Sequence, residues 1–373
     1  MTRTLRLPMM LLALVALLAA LWGGLVRIGW SWPVLSPTLV GTHGPLMISG
    51  FLGTLISLER AVALNRRWAY LAPLCCGLGA LLVIAGISTA GATLATLGSL
   101  VTVAIFTVII RLQPALFTAT MGLAAVTWLG GNLLWLAGRP LSQVVLWWAG
   151  FLVLTIVGER LELSRLLRLT RRHQAAYLAA SGLLLAGVIT SLIAFDVGTR
   201  LAGAGMLALA AWLGRYDLAR RTVRRSGLTR FIAIALLAGY VWLAVGGLLA
   251  LAYGGMAAGP HYDAMLHAIF VGFVISMIFG HAPIIFPVVL GLPMTFGAIF
   301  YTHLVLLHVS LLIRVGGDLT GQFELRRTGG LLNAVAILLF LGMTARSVWI
   351  GHSIPAHPVA SRPVRAEMSV TDA

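Results

Sequence analysis

The sequence predicts an all-α membrane protein, a polytopic bundle of about twelve transmembrane helices with a faint three-fold repeat of four helices each. Three observations carry that expectation. Sixty per cent of the 373 residues are hydrophobic and 10% charged, against about a half and about a quarter in soluble domains. The mean hydropathy is +1.00. Apolar runs of roughly bilayer-spanning length recur about twelve times, near 8–26, 38–63, 69–88, 91–110, 114–137, 142–161, 174–195, 199–213, 229–253, 262–286, 295–315 and 329–349.

The first run follows Arg3 and Arg6 and so has the charge order of a secretory leader. It is long for one and lacks a clear cleavage site, so a membrane helix is expected. The eighth run is the shortest. No lysine occurs, so the formal charge of +16 is carried by 26 arginines. They lie between apolar runs, which points to orientation and anionic lipid rather than nucleic acid. If the runs alternate from a cytoplasmic N-terminus, 20 of the 26 arginines fall inside, which places both termini in the cytoplasm and the chain in the inner (cytoplasmic) membrane. Residues 1–350 are then one transmembrane domain, and the polar, proline-rich 351–373 a disordered tail. Cys75 and Cys76 are adjacent in an apolar run. They read as small filler, with copper or thiol chemistry the lesser alternative.

The second run ends in ERAVALNRRWAYLAPL and the sixth in ERLELSRLLRLTRRHQAAYLA. Both place Glu-Arg before a basic loop and a Tyr-Leu-Ala start to the next helix. With the tenth run aligned by count, the second, sixth and tenth become equivalent members of three four-helix units.

The second run carries His43 about five residues from its start, and the tenth carries His267 about five from its own. At about 1.5 Å per residue both imidazoles fall about 7 Å below one membrane face if the runs are parallel, as two even-numbered spans are. An imidazole in hydrocarbon must find a partner. Two at one depth on separate helices suit a haem iron bound from both sides; a hydrogen bond to a neighbouring helix is the plainer alternative. Met47 and Gly50 follow His43 at i+4 and i+7 and are expected on its face, with Gly50 leaving room for a macrocycle edge. His281 returns to nearly the face of His267 about 21 Å deeper, too far to share its metal. His308 lies about 10 Å from the outer end of the eleventh run, as an alternative ligand or neighbour of the haem, with His303 further in. His281 and His303 are candidates for a second metal or a proton path, polar packing being an equal reading. Asp263, four residues before His267, is placed to orient a nearby group or to sit among headgroups.

The run THGPLMISGFLG, residues 42–53, resembles the second-helix motif of the haem-copper oxidase catalytic subunit, where the histidine is an axial ligand of the low-spin haem. HAIFVGFVISMIFG, residues 267–280, resembles the tenth-helix region of that subunit and, more closely, the NnrS family of haem- and copper-containing membrane proteins linked to nitric oxide metabolism. HVSLLIRVGG in the eleventh run is also similar to NnrS proteins. The resemblance implies twelve spans in three groups, with His43 and His267 as haem ligands. It also implies an arginine pair against the haem propionates in the loop after the eleventh helix, where Arg326 and Arg327 stand, with Arg314 a further candidate; ordinary loop arginine is the other reading. The chain departs from the oxidases and reductases in lacking a histidine in the sixth run and a His-His pair in the seventh, which has His173 alone at its inner edge. Their three-histidine second metal centre is therefore not expected.

The function expected is a membrane haem protein, with a bis-histidine iron near the outer face, that passes electrons from a donor or handles a gas such as nitric oxide. A covalent c-type haem is not expected, since no Cys-x-x-Cys-His occurs, and type b is the candidate among the non-covalent haems; copper is a further candidate cofactor. The alternatives are a proton-coupled transporter using Glu59 and Glu159, which otherwise pair with Arg60 and Arg160, and a haem or copper assembly factor. The lipid bilayer is the expected partner, and nucleic acid is not.

Overall fold

The structure is a computed structural model that describes residues 6–33, 37–164, 169–291 and 293–353; these are helical apart from turns and connections, without a strand among them. Of the tail expected from 351, residues 354–373 lie outside the described ones. Twelve helices are long and apolar enough to cross a membrane: α1 (Arg6–Arg27), α2 (His43–Leu64), α3 (Arg67–Ile84), α4 (Ser88–Leu112), α5 (Leu116–Leu136), α6 (Leu141–Leu163), α7 (Arg171–Thr190), α8 (Phe195–Tyr216), α9 (Gly227–Tyr253), α10 (Pro260–Val289), α11 (Phe300–Thr320) and α12 (Phe323–Ile350). The all-α, multi-pass class expected from composition is the one observed. The end at which the even-numbered helices begin is the histidine face below, and the other the glutamate face.

Three helices run several residues past an expected bound. α8 is a full 22 residues, because Asp196 and Arg200, whose charges truncate the apolar run, pair one turn apart at 2.9 Å. α11 continues to Thr320 and stops where Gly321 takes a φ of +70°, a left-handed turn that glycine adopts without strain. α12 begins at Phe323, so Arg326 and Arg327 occupy the first turns of a helix instead of a loop, and Arg314 is buried inside α11.

Most helices pack against their sequence neighbours, α3 on α4, α5 on α6, α7 on α8, α8 on α9 and α11 on α12. Small residues bring some of these backbones into contact. A Cβ on Gly187 of α7 would lie 2.1 Å from the Ala202 nitrogen of α8, and one on Gly198 would lie 2.2 Å from the Ser191 nitrogen. Lipid supplies no hydrophobic force between helices, so such close van der Waals approach is what holds them.

Three helices form the interior. The hydrophobic windows of α2, α6 and α10 are 61%, 72% and 67% buried, against 33–56% for the other nine. Two of the three are not uniform α-helices. α2 passes from α over His43–Pro45 to π over Leu46–Leu52 and back to α from Gly53. α10 does the same, with π over Ala268–Ile275 directly after His267. Glycines let large rings lie against these stretches: a Cβ at Gly53 would stand 2.4 Å from the Trp128 ring, and one at Gly272 2.4 Å from Trp242 Cγ.

Buried polar joints tie the interior helices to the periphery. Asn132 of α5 accepts at Oδ1 from Ser49 Oγ of α2 at 2.9 Å and Trp148 Nε1 of α6 at 3.0 Å, and donates to the Ala95 carbonyl of α4 at 3.2 Å. Arg160 of α6 donates through Nε and Nη2 to both oxygens of Asp217, at 2.8 and 2.9 Å, with both side chains almost fully buried. Asp217 also accepts the Ala219 amide at 2.6 Å, capping the turn after α8. Paired in this way, neither charge is left bare in the apolar interior.

Asn132→Leu leaves two buried donors without their acceptor and is expected to lower stability by about 1 to 2 kcal/mol, read as a lower unfolding temperature in detergent. Gly187→Leu is expected to part α7 from α8 and to abolish recovery of monodisperse protein on size-exclusion chromatography.

Candidate metal and cofactor site

At the histidine face, the starts of α2, α6, α10 and α12 and the ends of α1 and α11 surround a cavity of about 490 Å³, within the range of cofactor pockets. His43 and His267 both line it. Their ring centroids are 6.5 Å apart and their planes 18° from parallel. Each ring is held by a backbone carbonyl, His43 Nδ1 lying 2.6 Å from Ala20 O of α1 and His267 Nδ1 lying 2.8 Å from Asp263 O one turn earlier. A carbonyl only accepts, so both Nδ1 atoms carry the proton and both Nε2 atoms keep a free lone pair. Gly24 makes the first of these contacts fit, because a Cβ there would stand 2.7 Å from His43 Nδ1.

These residues fit a haem. Two metal–nitrogen bonds of about 2 Å each, with the half-width of each imidazole beyond them, put the centroids of two axial rings on one iron about 6 Å apart. The observed separation of 6.5 Å is close to that distance, and the free Nε2 atoms are the ones that would be available to a metal. A carbonyl or carboxylate on the opposite nitrogen is the usual outer support of a metal-bound histidine.

Asp263 is the hub of the cavity's charged rim. It accepts from Arg314 Nε at 2.9 Å and Nη2 at 3.2 Å, and has Arg326 Nη2 at 3.5 Å. Its Oδ1 is also 3.4 Å from His267 Nδ1. Arg326 reaches on to Asp318 of α11, Nε to Oδ1 at 3.1 Å, an ion pair whose geometry falls short of a hydrogen bond. Two guanidinium groups and two carboxylates therefore meet beside His267. Exposed Arg27 stands at the cavity wall as a further positive group.

The family described as Domain of unknown function (DUF8744) matches residues 6–349. The chain belongs to this family. No curated protein matches it. The DUF8744 match takes in the twelve spans, the last but for its final residue, and every residue of the cavity.

The structure sorts the residues singled out from the sequence. His43, His267, Met47, Arg314 and Arg326 all line the cavity. Arg327 does not; its guanidinium lies over Trp30, 4.3 Å from the ring centre, with Glu324 at 3.5 Å. Gly50 does not either, and the space it leaves is for helix packing, since a Cβ there would meet Ala80 and Ala16 at 3.0 and 3.1 Å. The cause is the π stretch, whose wider turn carries Gly50 off the face that α-helical spacing predicts.

His308 is committed elsewhere, accepting from Trp242 Nε1 at 3.0 Å and facing Ser276 Oγ at 3.4 Å. His303 is fully buried, with Nδ1 3.3 Å from Met343 Sδ and the rings of Phe231, Phe279, Phe300 and Phe340 edge-on around it. His281 lines a second, smaller cavity toward the glutamate face. Among the described residues no group of three or more His, Cys, Asp and Glu side chains is arranged to hold a metal ion, and both cysteines are free.

Sequence reasoning missed Ala20 and Gly24, which position His43 from α1. The signal is the Gly23-Gly24 pair in a run otherwise rich in leucine and alanine.

Removing the hub leaves two guanidinium groups short of their carboxylate. Asp263→Leu is expected to cost about 3 to 5 kcal/mol in thermal unfolding, and the double change with Arg314→Met to recover part of the loss, as removing both partners of a buried pair does.

Proposed function

We propose that this protein is a multi-pass membrane haem protein that holds one b-type haem between His43 and His267 and serves electron transfer. The observation that carries the reading is the pair of near-parallel imidazoles 6.5 Å apart across a cavity. Held between His43 and His267, a haem would supply one-electron redox chemistry.

The chain's own groups do the rest. The Ala20 and Asp263 carbonyls hold the Nδ1 protons, fixing the tautomer that offers Nε2 to iron. Arg314 gives Nε and Nη2 to Asp263, which leaves Nη1 for a propionate, and Arg326 adds a second charge on the same side. Leu266, Phe270, Val271 and Ile337 make much of the wall apolar. The resemblance of THGPLMISGFLG and HAIFVGFVISMIFG to NnrS and haem-copper oxidase sequences supports the same ligands. The burial of every fourth helix supports a three-unit plan. The arginine bias supports an inner-membrane orientation with both termini in the cytoplasm and the histidine face outward.

Protein purified from cells supplied with haem is expected to contain one haem per chain with a low-spin reduced-minus-oxidised spectrum. His43→Ala and His267→Ala should each abolish that spectrum, and His308→Ala should retain it. Gly24→Val should weaken haem retention without touching a ligand, by displacing the His43 ring. An unchanged spectrum in both ligand variants, or no haem in the parent protein, contradicts the assignment.

A further inference from the structure

A second cavity of about 110 Å³ lies next to the first toward the glutamate face, with Leu52 lining both. Each central helix sends it one titratable group: Glu59 from α2, Glu159 from α6 and His281 from α10. The rest of its wall is apolar apart from Thr155, with Ile278 and Ile285 among its residues.

The charges around it are already arranged. Arg60 bonds Glu159 and stands 3.4 Å from Glu59. Arg160 is occupied by Asp217 through two hydrogen bonds, and Arg6 gives Nη1 to the carbonyl of Val289, a lining residue, at 2.9 Å. Glu162 follows Glu159 by three residues on α6 and adds negative charge on the Arg60 side. His281 Nδ1 is 2.8 Å from the Met277 carbonyl, so the proton sits on Nδ1 and Nε2 is an acceptor. The carboxylates and the imidazole facing this space therefore all accept hydrogen bonds. An occupant must bring its own donors, and the remaining wall requires it to be mainly apolar. The volume sets its size: at about 110 Å³ the cavity is smaller than the apolar protein cavity of about 150 Å³ that takes one benzene, so it has room for one ring without bulky substituents. A metal ion suits it less, because the guanidinium of Arg60 already stands among the carboxylates.

We propose that this inner cavity binds the dihydroxylated aromatic ring of a lipid-soluble hydroquinone, one hydroxyl donating to His281 Nε2 and the other to a carboxylate oxygen of Glu59. α10 presents Ile284 and Val288 outward beside the cavity, 49% and 65% exposed, an apolar surface along which the tail of such a carrier can lie in lipid. The ring is then one side chain, Leu52, from the cavity at the histidine face. The site stands on its own residues and does not require a haem.

The test is equilibrium binding of unsubstituted 1,4-hydroquinone, kept reduced without air, to purified full-length protein in detergent with no haem added. Saturable binding to one site is expected. The dimethyl ether of the same ring, which has no donors, should bind at least about threefold more weakly. His281→Ala and Glu59→Gln should each weaken binding by about three- to tenfold, and Ile285→Trp, which fills the ring space, should abolish it. No saturable binding to the parent protein overturns the proposal, as does equal affinity for the ether. If Ile285→Trp does not fold, the ether and His281→Ala decide. Protein that binds the hydroquinone but never haem upholds this site and removes the haem reading; protein that binds haem but not the hydroquinone does the reverse.

Discussion

A polar side chain inside hydrocarbon has to be matched, and that constraint shapes this protein more than helix propensity or core volume does. Asp217 is matched by Arg160, Asp263 by Arg314 and Arg326, Asn132 by Ser49, Trp148 and the Ala95 carbonyl, and His308 by Trp242. Each match joins different helices, so the same contacts that make polar groups tolerable also fix how the bundle closes. His43 and His267 are half-matched: a carbonyl holds one nitrogen of each ring, and the other is left with its lone pair.

The three central helices arrange the polar groups along the membrane normal. α2, α6 and α10 line both cavities, with the imidazole pair and its arginine rim at one end and Glu59, Glu159 and His281 at the other. The π stretches of α2 and α10 lie between the two ends. Their wider turns change which residues face inward part-way through each helix, and both occur just after the histidine. Such bulges cost backbone regularity and are found mostly where a site needs them.

Much of this was legible in the sequence, for identifiable reasons. Span number follows from run length and hydropathy alone, and the common depth of His43 and His267 follows from counting residues along two parallel helices. What sequence could not supply is compensation between helices. The ends of α11 and α12 were placed too far apart because Arg314, Asp318 and Arg326 read as polar in one dimension, whereas in the fold they meet one another and Asp263, and the helices run on. α-Helical spacing puts Gly50 on the face of His43, and the π segment carries it off that face. The resemblance pairs Arg327 with Arg326, yet consecutive residues on a helix point about 100° apart, and Arg327 faces Trp30.

The most direct measurement is electron paramagnetic resonance of the oxidised, haem-loaded protein, which distinguishes iron with two imidazole ligands from iron with one. A low-spin ferric signal with the g-values of bis-imidazole ligation, lost on replacing either His43 or His267, is the expected result. A high-spin signal in the parent protein, or a low-spin signal that survives both replacements, would contradict the assignment of these two residues.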